Sequence, residues 1–160
     1  MLRPLEQKDN PAVRDIIRTV MPEFGASGKG FAIHDSEVED MYAAYTQSRC
    51  SYFVWEENGK IYGGGGVAPL QGGDTDTCEL KKMYFLPEGR GKGSGQLVLS
   101  QCLKAAKALG FKYCYLETFN TMTHAMKLYE RNGFEKIAGP LGNTGHFSCD
   151  TFYKRSLEKL

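Results

Sequence analysis

Arg90-Gly91-Lys92-Gly93-Ser94-Gly95 lies between an apolar run, Met83-Tyr84-Phe85-Leu86-Pro87, and a stretch from Leu97 onward in which apolar residues recur at helical spacing. That position predicts a glycine-rich turn leading from a strand into a helix. Such a turn stacks backbone N–H groups at the positive end of the helix dipole, where water, a carboxylate or a phosphate can satisfy them. The segment is therefore an anion cradle. Its glycines at 91, 93 and 95 do not follow Gly-x-Gly-x-x-Gly, and no Gly-x-x-x-x-Gly-Lys-Ser/Thr occurs, which argues against dinucleotide and nucleoside-triphosphate loops.

Outward from the cradle, pattern predicts the order β-α-α-β-β-β-α-β-α-β-β. A short strand at Leu2 to Leu5 precedes Asn10-Pro11, an N-cap with proline at the first helical position, and Val13, Ile16, Ile17, Val20 and Met21 follow at helical spacing. Ser36-x-x-Glu39 reads as a capping box opening a second helix, with Val38, Met41, Tyr42 and Tyr45 on one face. Tyr52 to Glu56 and Lys60 to Val67 are strands joined by Asn58-Gly59, the preferred sequence of a tight hairpin. Gly63 to Gly66 weaken the third strand and point to a bulge or a close backbone approach. Thr77 to Leu86 is the fourth strand. The third helix runs from Ser94 to Leu109, with Leu99, Cys102, Leu103 and Ala106 inward, and Gly110-Phe111 ends it. Lys112 to Thr118 is the fifth strand. A fourth helix places Met122, Ala125, Met126 and Tyr129 on one face and stops at Gly133. Phe134 to Ile137 and His146 to Arg155 are the closing strands, separated by a loop at 139–145.

At 160 residues and 41% hydrophobic content the chain suits one domain, 1–160, with its own core. A formal charge of +1, with Lys and Arg scattered, gives no reason to expect nucleic acid or a membrane surface as partner. Cys50, Cys78, Cys102, Cys114 and Cys149 form an odd set without a Cys-x-x-Cys pair, which suits a reduced, intracellular setting. The N-terminus lacks the apolar core of a signal peptide and no apolar run approaches about 18 residues, so a soluble, cytoplasmic protein is expected.

The spacing Arg90-x-x-Gly93-x-Gly95 resembles the pyrophosphate-binding signature Gln/Arg-x-x-Gly-x-Gly/Ala of the GCN5-related N-acetyltransferase (GNAT) superfamily. Glu79-Leu80-Lys81-Lys82-Met83-Tyr84-Phe85-Leu86-Pro87 is similar to that family's fourth strand, and Leu128-Tyr129-Glu130-Arg131-Asn132-Gly133-Phe134 to the end of its last helix. The three segments stand in the family's order. The resemblance implies an α/β (α+β) fold, a central mixed, mostly antiparallel sheet of about seven strands flanked by four helices. It also implies acetyl transfer from acetyl-CoA, as cosubstrate and without a metal, to a primary amine by direct attack in a ternary complex. A homodimer is the default, since many relatives dimerise.

That chemistry makes three demands. Coenzyme A must be held: the amides of Gly91, Lys92, Gly93, Ser94, Gly95 and Gln96 suit its pyrophosphate, with charge from Arg90 and Lys92. By resemblance, the backbone of Met83, Tyr84 and Phe85 pairs with the pantetheine arm as an added strand. The amine must lose a proton, because an alkyl ammonium of pKa about 10 is neutral in only about one molecule per thousand at pH 7. Glu79 stands where several relatives have a glutamate base; Asp74, Asp76 and Glu117 are rivals that spacing leaves open. The departing thiolate needs a proton, and Tyr129 occupies the family's general-acid position, while helical spacing makes the same residue a plain core aromatic. Many relatives carry a pantetheine-binding asparagine where this chain has Met122, which leaves the nearby Asn120 as the candidate. Phe24 and Phe31 in a glycine-rich stretch, and His146 beside the 139–146 loop, are candidates for acceptor contacts. His34 and His124 read as surface residues, and no histidine has the company a metal site needs. The acceptor is expected to be a small-molecule amine. A protein or peptide acceptor, and a non-catalytic acyl-CoA sensor, are the other classes.

Overall fold

The computed structural model describes residues 1–160. Its elements are β1 (Leu2–Pro4), α1 (Asn10–Glu23), α2 (Met41–Tyr45), β2 (Ser51–Glu57), β3 (Lys60–Pro69), β4 (Thr77–Phe85), α3 (Ser94–Ala108), β5 (Tyr113–Thr118), α4 (Thr123–Arg131), β6 (Glu135–Ile137) and β7 (Thr151–Ser156). The expected order holds throughout. One seven-stranded sheet runs β1-β2-β3-β4-β5-β7-β6, antiparallel at every junction except β4 with β5.

The sheet is covered on both faces, and alternation along β2 assigns the layers. Tyr52 and Val54 join Val13, Ile17 and Val20 of α1 and Met41 of α2, whereas Phe53 joins Leu99, Cys102 and Leu103 of α3. Tyr129 of α4 belongs to the α3 layer. Cys78, Cys102 and Cys114 are buried as free thiols in that layer. No helix is long and apolar enough to cross a membrane.

Several local signals act as their chemistry dictates. Asn58 and Gly59 both take positive φ, 50° and 77°, the geometry of a two-residue hairpin turn. Gly110 takes φ 89°, and Phe111 N–H donates back to Ala106 O at 3.1 Å, which stops α3. The run Gly63 to Gly66 proves to be close approach on β3 opposite a bulge on β4. Pairing jumps from Gly64↔Tyr84 to Gly66↔Lys81, so Lys82 and Met83 together oppose Gly65. A Cβ at Gly63 would lie 2.2 Å from the Phe85 ring, and one at Gly64 would lie 2.5 Å from the carbonyl oxygen of Phe53.

Three expectations need correction. Asn10 does not cap α1. It is the first helical residue, and its side chain ties α1 to α2 by accepting from Tyr42 N–H (2.8 Å) and donating to Asp40 Oδ1 (2.7 Å). The capping box at Ser36 to Glu39 forms only a 3-10 turn; α2 starts at Met41, capped by Asp40 accepting from Ala43 N–H at 3.0 Å. The closing strand is shorter than alternation suggested. Residues 146–150 leave the sheet, with Phe147 77% exposed, because His146 bonds Asp35 and Asp150 accepts from Asn120 N–H.

Because the atom a Gly64 side chain would meet is backbone, it cannot swing aside. Gly64→Ala is therefore expected to lower stability by about 1–3 kcal/mol, as overpacking does, while Gly28→Ala, which meets nothing within 4 Å, leaves the urea midpoint unchanged. Equal midpoints for the two variants would refute the close-approach account.

Candidate active site

The one parallel junction is also the shortest in the middle of the sheet. β4 and β5 pair only at Thr77↔Tyr113, Cys78↔Cys114 and Glu79↔Tyr115. Beyond Glu79, β4 stays with β3 as far as Phe85, while β5 stays with β7 as far as Thr118. The two strands part, and the gap between them opens into two cavities. A groove of about 570 Å³ runs along Met83 to Phe85, Arg90, Gly91 and the start of α3. A narrower inner cavity of about 40 Å³ lies between Glu79 to Tyr84 and Leu116 to Phe119. Met83, Tyr84, Met122 and Tyr129 line both, so the two cavities meet there.

The cradle forms the outer end of the groove. Gly91 and Gly93 take φ 75° and 81°, a conformation strained for any side chain. Ser94 Oγ donates to Gly89 O at 2.7 Å, and the first amide of α3 to find its helical partner is Leu97 N–H, on Gly93 O at 3.1 Å. The amides ahead of it are left for an anion. Arg90 is a strut as well as a charge: its Nε donates to Phe85 O (2.9 Å), its Nη1 pairs with Glu23 (2.6 Å), and its guanidinium lies 5.2 Å from the Phe24 ring. Phe24 thus stands in the groove rather than beside the inner cavity. Lys92 pairs with Glu57 at 3.3 Å outside the groove wall. The Gln96 side chain turns to Asn132 (2.7 Å) and Ser100 (3.1 Å), leaving only its amide to the cradle. Asn120 is exposed on the turn after β5, outside both cavities, and Met122 fills the junction instead.

Glu79 sits at the vertex where the strands part, 4% exposed. Burial pushes its carboxyl up to about 7, with Lys81 and His146 pulling the other way and Glu117 adding to the rise. Glu117 reaches the same cavity from β5. Its Oε1 accepts from the Thr144 hydroxyl, and burial raises its pKa too. The other rivals lie elsewhere: Asp76 pairs with Lys112 at 3.0 Å and Asp74 accepts from Asp76 N–H, both in the β3–β4 connection. Tyr129 is a packed core aromatic that also faces the cavities, a position open to both of the readings that spacing allowed. Its ring packs on Phe134 (5.9 Å between centroids) and Tyr153 (6.2 Å), and the residue lines both cavities; burial raises its hydroxyl pKa well above that of free tyrosine. Phe31 packs edge-on to Phe119 at 5.3 Å and so backs the inner cavity at one remove.

Behind the inner cavity lies an ionic cluster that the motifs did not announce. The Lys82 ammonium is fully buried and pairs with Asp35 (2.6 Å) and Glu37; Lys81 pairs with Glu37 at 2.8 Å. Adjacent strand residues point to opposite faces, yet both lysines reach one carboxylate. The cause is the bulge, where Lys82 takes φ 52° and is re-aimed. Asp35 also accepts from His146 Nε2 at 2.8 Å. Burial opposes its ionisation, but that hydrogen bond and the charge of Lys82 prevail and hold it at about 2. The available signal was two consecutive lysines in a central strand, Thr77–Phe85, that is mostly buried, a composition that burial tolerates only with partners. Histidine also gains company here: donor atoms of Glu79, Glu117 and His146 all lie within 4.8 Å of one another. His34 is exposed, with Nε2 2.8 Å from Ser27 O, and His124 is exposed at the groove.

Comparison with known proteins agrees with the fold. Residues 12–134 match the acetyltransferase (GNAT) family. The chain is 43% identical over 158 residues to the uncharacterized N-acetyltransferase YjgM of Escherichia coli, covering 98% of this chain and 95% of that one. Among solved structures, an acetyltransferase of the GNAT family from Staphylococcus aureus superposes with a TM-score of 0.87 at 21% identity, covering 99% of both chains. YncA from Salmonella typhimurium, solved with its cofactor acetyl-CoA, superposes with a TM-score of 0.78 at 20% identity, covering 99% of this chain and 94% of that one.

The raised Glu79 pKa has a stability signature. Between its ordinary value of 4.5 and about 7, the folded chain holds a proton that the unfolded chain has lost, so stability falls as pH rises through that window, by roughly 3 kcal/mol at most. Glu79→Gln is expected to raise the melting temperature at pH 8 and to leave it unchanged near pH 4.5; the same shift at both would show that burial does not hold this carboxyl protonated.

Proposed function

The chain belongs to the acetyltransferase (GNAT) family, and on that premise we propose that it transfers acetyl from acetyl-CoA to the primary amine of a small molecule, by direct attack in a ternary complex. The observation that carries this reading is the meeting of the two cavities at Tyr129, with a buried carboxylate, Glu79, at the vertex of the inner one.

The residues present fit acetyl-CoA, which supplies the thioester that the amine attacks. The free amides between Gly91 and Gln96 suit its pyrophosphate. The side of β4 from Met83 to Phe85 that has lost its β5 partner suits the amide-bearing arm, as in strand addition. A backbone N–H on that stretch stabilises negative charge on the carbonyl oxygen as the amine adds. Glu79, ionised, accepts the ammonium proton directly or through a water, and the apolar walls disfavour the charged amine. Tyr129 holds a hydroxyl proton at the junction for the departing sulfur, and its raised pKa keeps that proton in place. No cysteine is required as nucleophile. The acceptor amine reaches Glu79 through the inner cavity, whose far wall is formed by Met21 and Ala32.

Thiol release from acetyl-CoA, measured with pooled polyamines, aminoglycosides, amino acids and short peptides, tests the reading. We expect release with small amines. Glu79→Gln and Tyr129→Phe should each cut kcat by about 10²–10⁴-fold with acetyl-CoA affinity kept. In chelator-treated buffer the rate should rise through about pH 7 as Glu79 ionises, a limb that Glu79→Gln abolishes. Release with peptides alone would move the acceptor to polypeptides, and binding of acetyl-CoA without release from any pool would favour a sensor.

Gly93→Ala bears on the cradle separately. Forcing a side chain into φ 81° at the start of α3 distorts the amides that face the pyrophosphate. Calorimetry should show acetyl-CoA affinity falling at least about tenfold, a loss of some 1.4 kcal/mol; unchanged affinity would place the pyrophosphate elsewhere.

A further inference from the structure

The charges around the inner cavity do not balance locally. Lys81 and Lys82 are matched by Glu37 and Asp35, which lie behind the cavity wall. Glu79 and Glu117, which face the cavity, have no such partner: neither forms an ion pair in the chain, and Glu79, only 4% exposed, still lines the space. Glu79 accepts no hydrogen bond and forms no ion pair, and the through-space pull of Lys81 and His146 does not outweigh the cost of its burial.

We propose that Glu79, Glu117 and His146 form a binding site for a single divalent transition-metal ion with the coordination chemistry of zinc. Their donor atoms lie within 4.8 Å of one another, so small side-chain rotations bring them onto one ion. Two carboxylates and an imidazole are a donor set for zinc, cobalt or manganese, whereas magnesium and calcium favour oxygen alone. The supporting shell is in place. His146 Nε2 is held by Asp35 at 2.8 Å, which leaves the second ring nitrogen as the lone-pair donor, and Glu117 is steadied by the Thr144 hydroxyl. Cys149 lines the same cavity, but its sulfur is not in the cluster, and burial pushes its thiol up to about 12. A cavity of about 40 Å³ leaves room beside the ion for little more than a water. Three protein ligands and one open position result. An ion there ties up the carboxylate assigned above to proton transfer, so the loaded protein should not acetylate amines; that consequence rests on the proposed function, whereas binding does not.

The test is titration of the chelator-treated full-length protein with Co²⁺, read by visible d–d absorption, and with Zn²⁺, read by calorimetry. One ion per chain is expected, without a sulfur-to-cobalt charge-transfer band. His146→Ala and Glu117→Gln should each weaken binding at least about tenfold, and Thr144→Val about 10–100-fold as loss of a supporting hydrogen bond does, while His34→Ala and His124→Ala bind as the wild type does. Retained acetyl-CoA binding by the variants shows that they are folded. No saturable binding by the wild type, full affinity in both His146→Ala and Glu117→Gln, or a thiolate band would overturn the proposal.

Discussion

The buried ammonium of Lys82 is the contact on which the geometry of the site turns. A lysine at φ 52° on a central strand accepts backbone strain of roughly 1–3 kcal/mol, and full burial of its charge adds a desolvation cost. Asp35 and Glu37 offset both by closing on it from the α1–α2 connection, and the Tyr52 hydroxyl fixes the bulge by donating to Lys82 O at 2.7 Å. The pair is therefore less a source of stability than a geometric lock. It joins the strand that carries Glu79 and the groove edge to the segment that walls the inner cavity, and through Asp35 it reaches His146 on the far side. Three stretches of chain distant in sequence are thus registered around one nitrogen.

The same bulge explains how one strand serves two cavities. Upstream of it, Glu79 and Lys81 share a face and look into the inner cavity; downstream, Met83 to Phe85 run along the groove. The glycines of β3 are the other half of this device. With side chains at 63, 64 and 66 the strand could not lie close to Phe85, Phe53 and Tyr52 while β4 carries an extra residue. β4 and β5, parallel neighbours with a helix between them, are each held by an antiparallel partner on the other side, so their parting leaves neither strand without a ladder.

The fold was legible because its signals are local. Periodicity located α1, α3 and α4, and Asn58-Gly59, Gly110-Phe111 and the cradle carry their conformations in their own residue types. The signals failed where a side chain had a distant partner. Asn10 and Ser36 to Glu39 look like caps, but Asn10 is drawn to α2, and Glu37 in the second stretch is drawn to Lys82. Alternation through His146, Phe147 and Cys149 looks like strand, but His146 is held by Asp35 and the stretch peels away. Within the site, cradle and vertex were readable through resemblance and spacing. The ionic cluster was not, since its members come from positions 35, 37, 81, 82 and 146, and no local pattern links them.

What distinguishes Glu79 from Asp9, the other fully buried acid, is therefore not its residue type or its place in a motif but the absence of an ion-pair partner. Asp9 has Arg3, Asp35 has Lys82 and His146, and Asp76 has Lys112. Each of those carboxylates is spent on structure. Glu79 is buried as deeply as Asp9, yet Lys81 and His146 act on it only through space, without an ion pair or hydrogen bond, and it lines the cavity. Left without an ion pair, the carboxyl at the vertex meets the cost of its burial in the free state by holding a proton up to about pH 7, and a positively charged ligand would relieve the same cost.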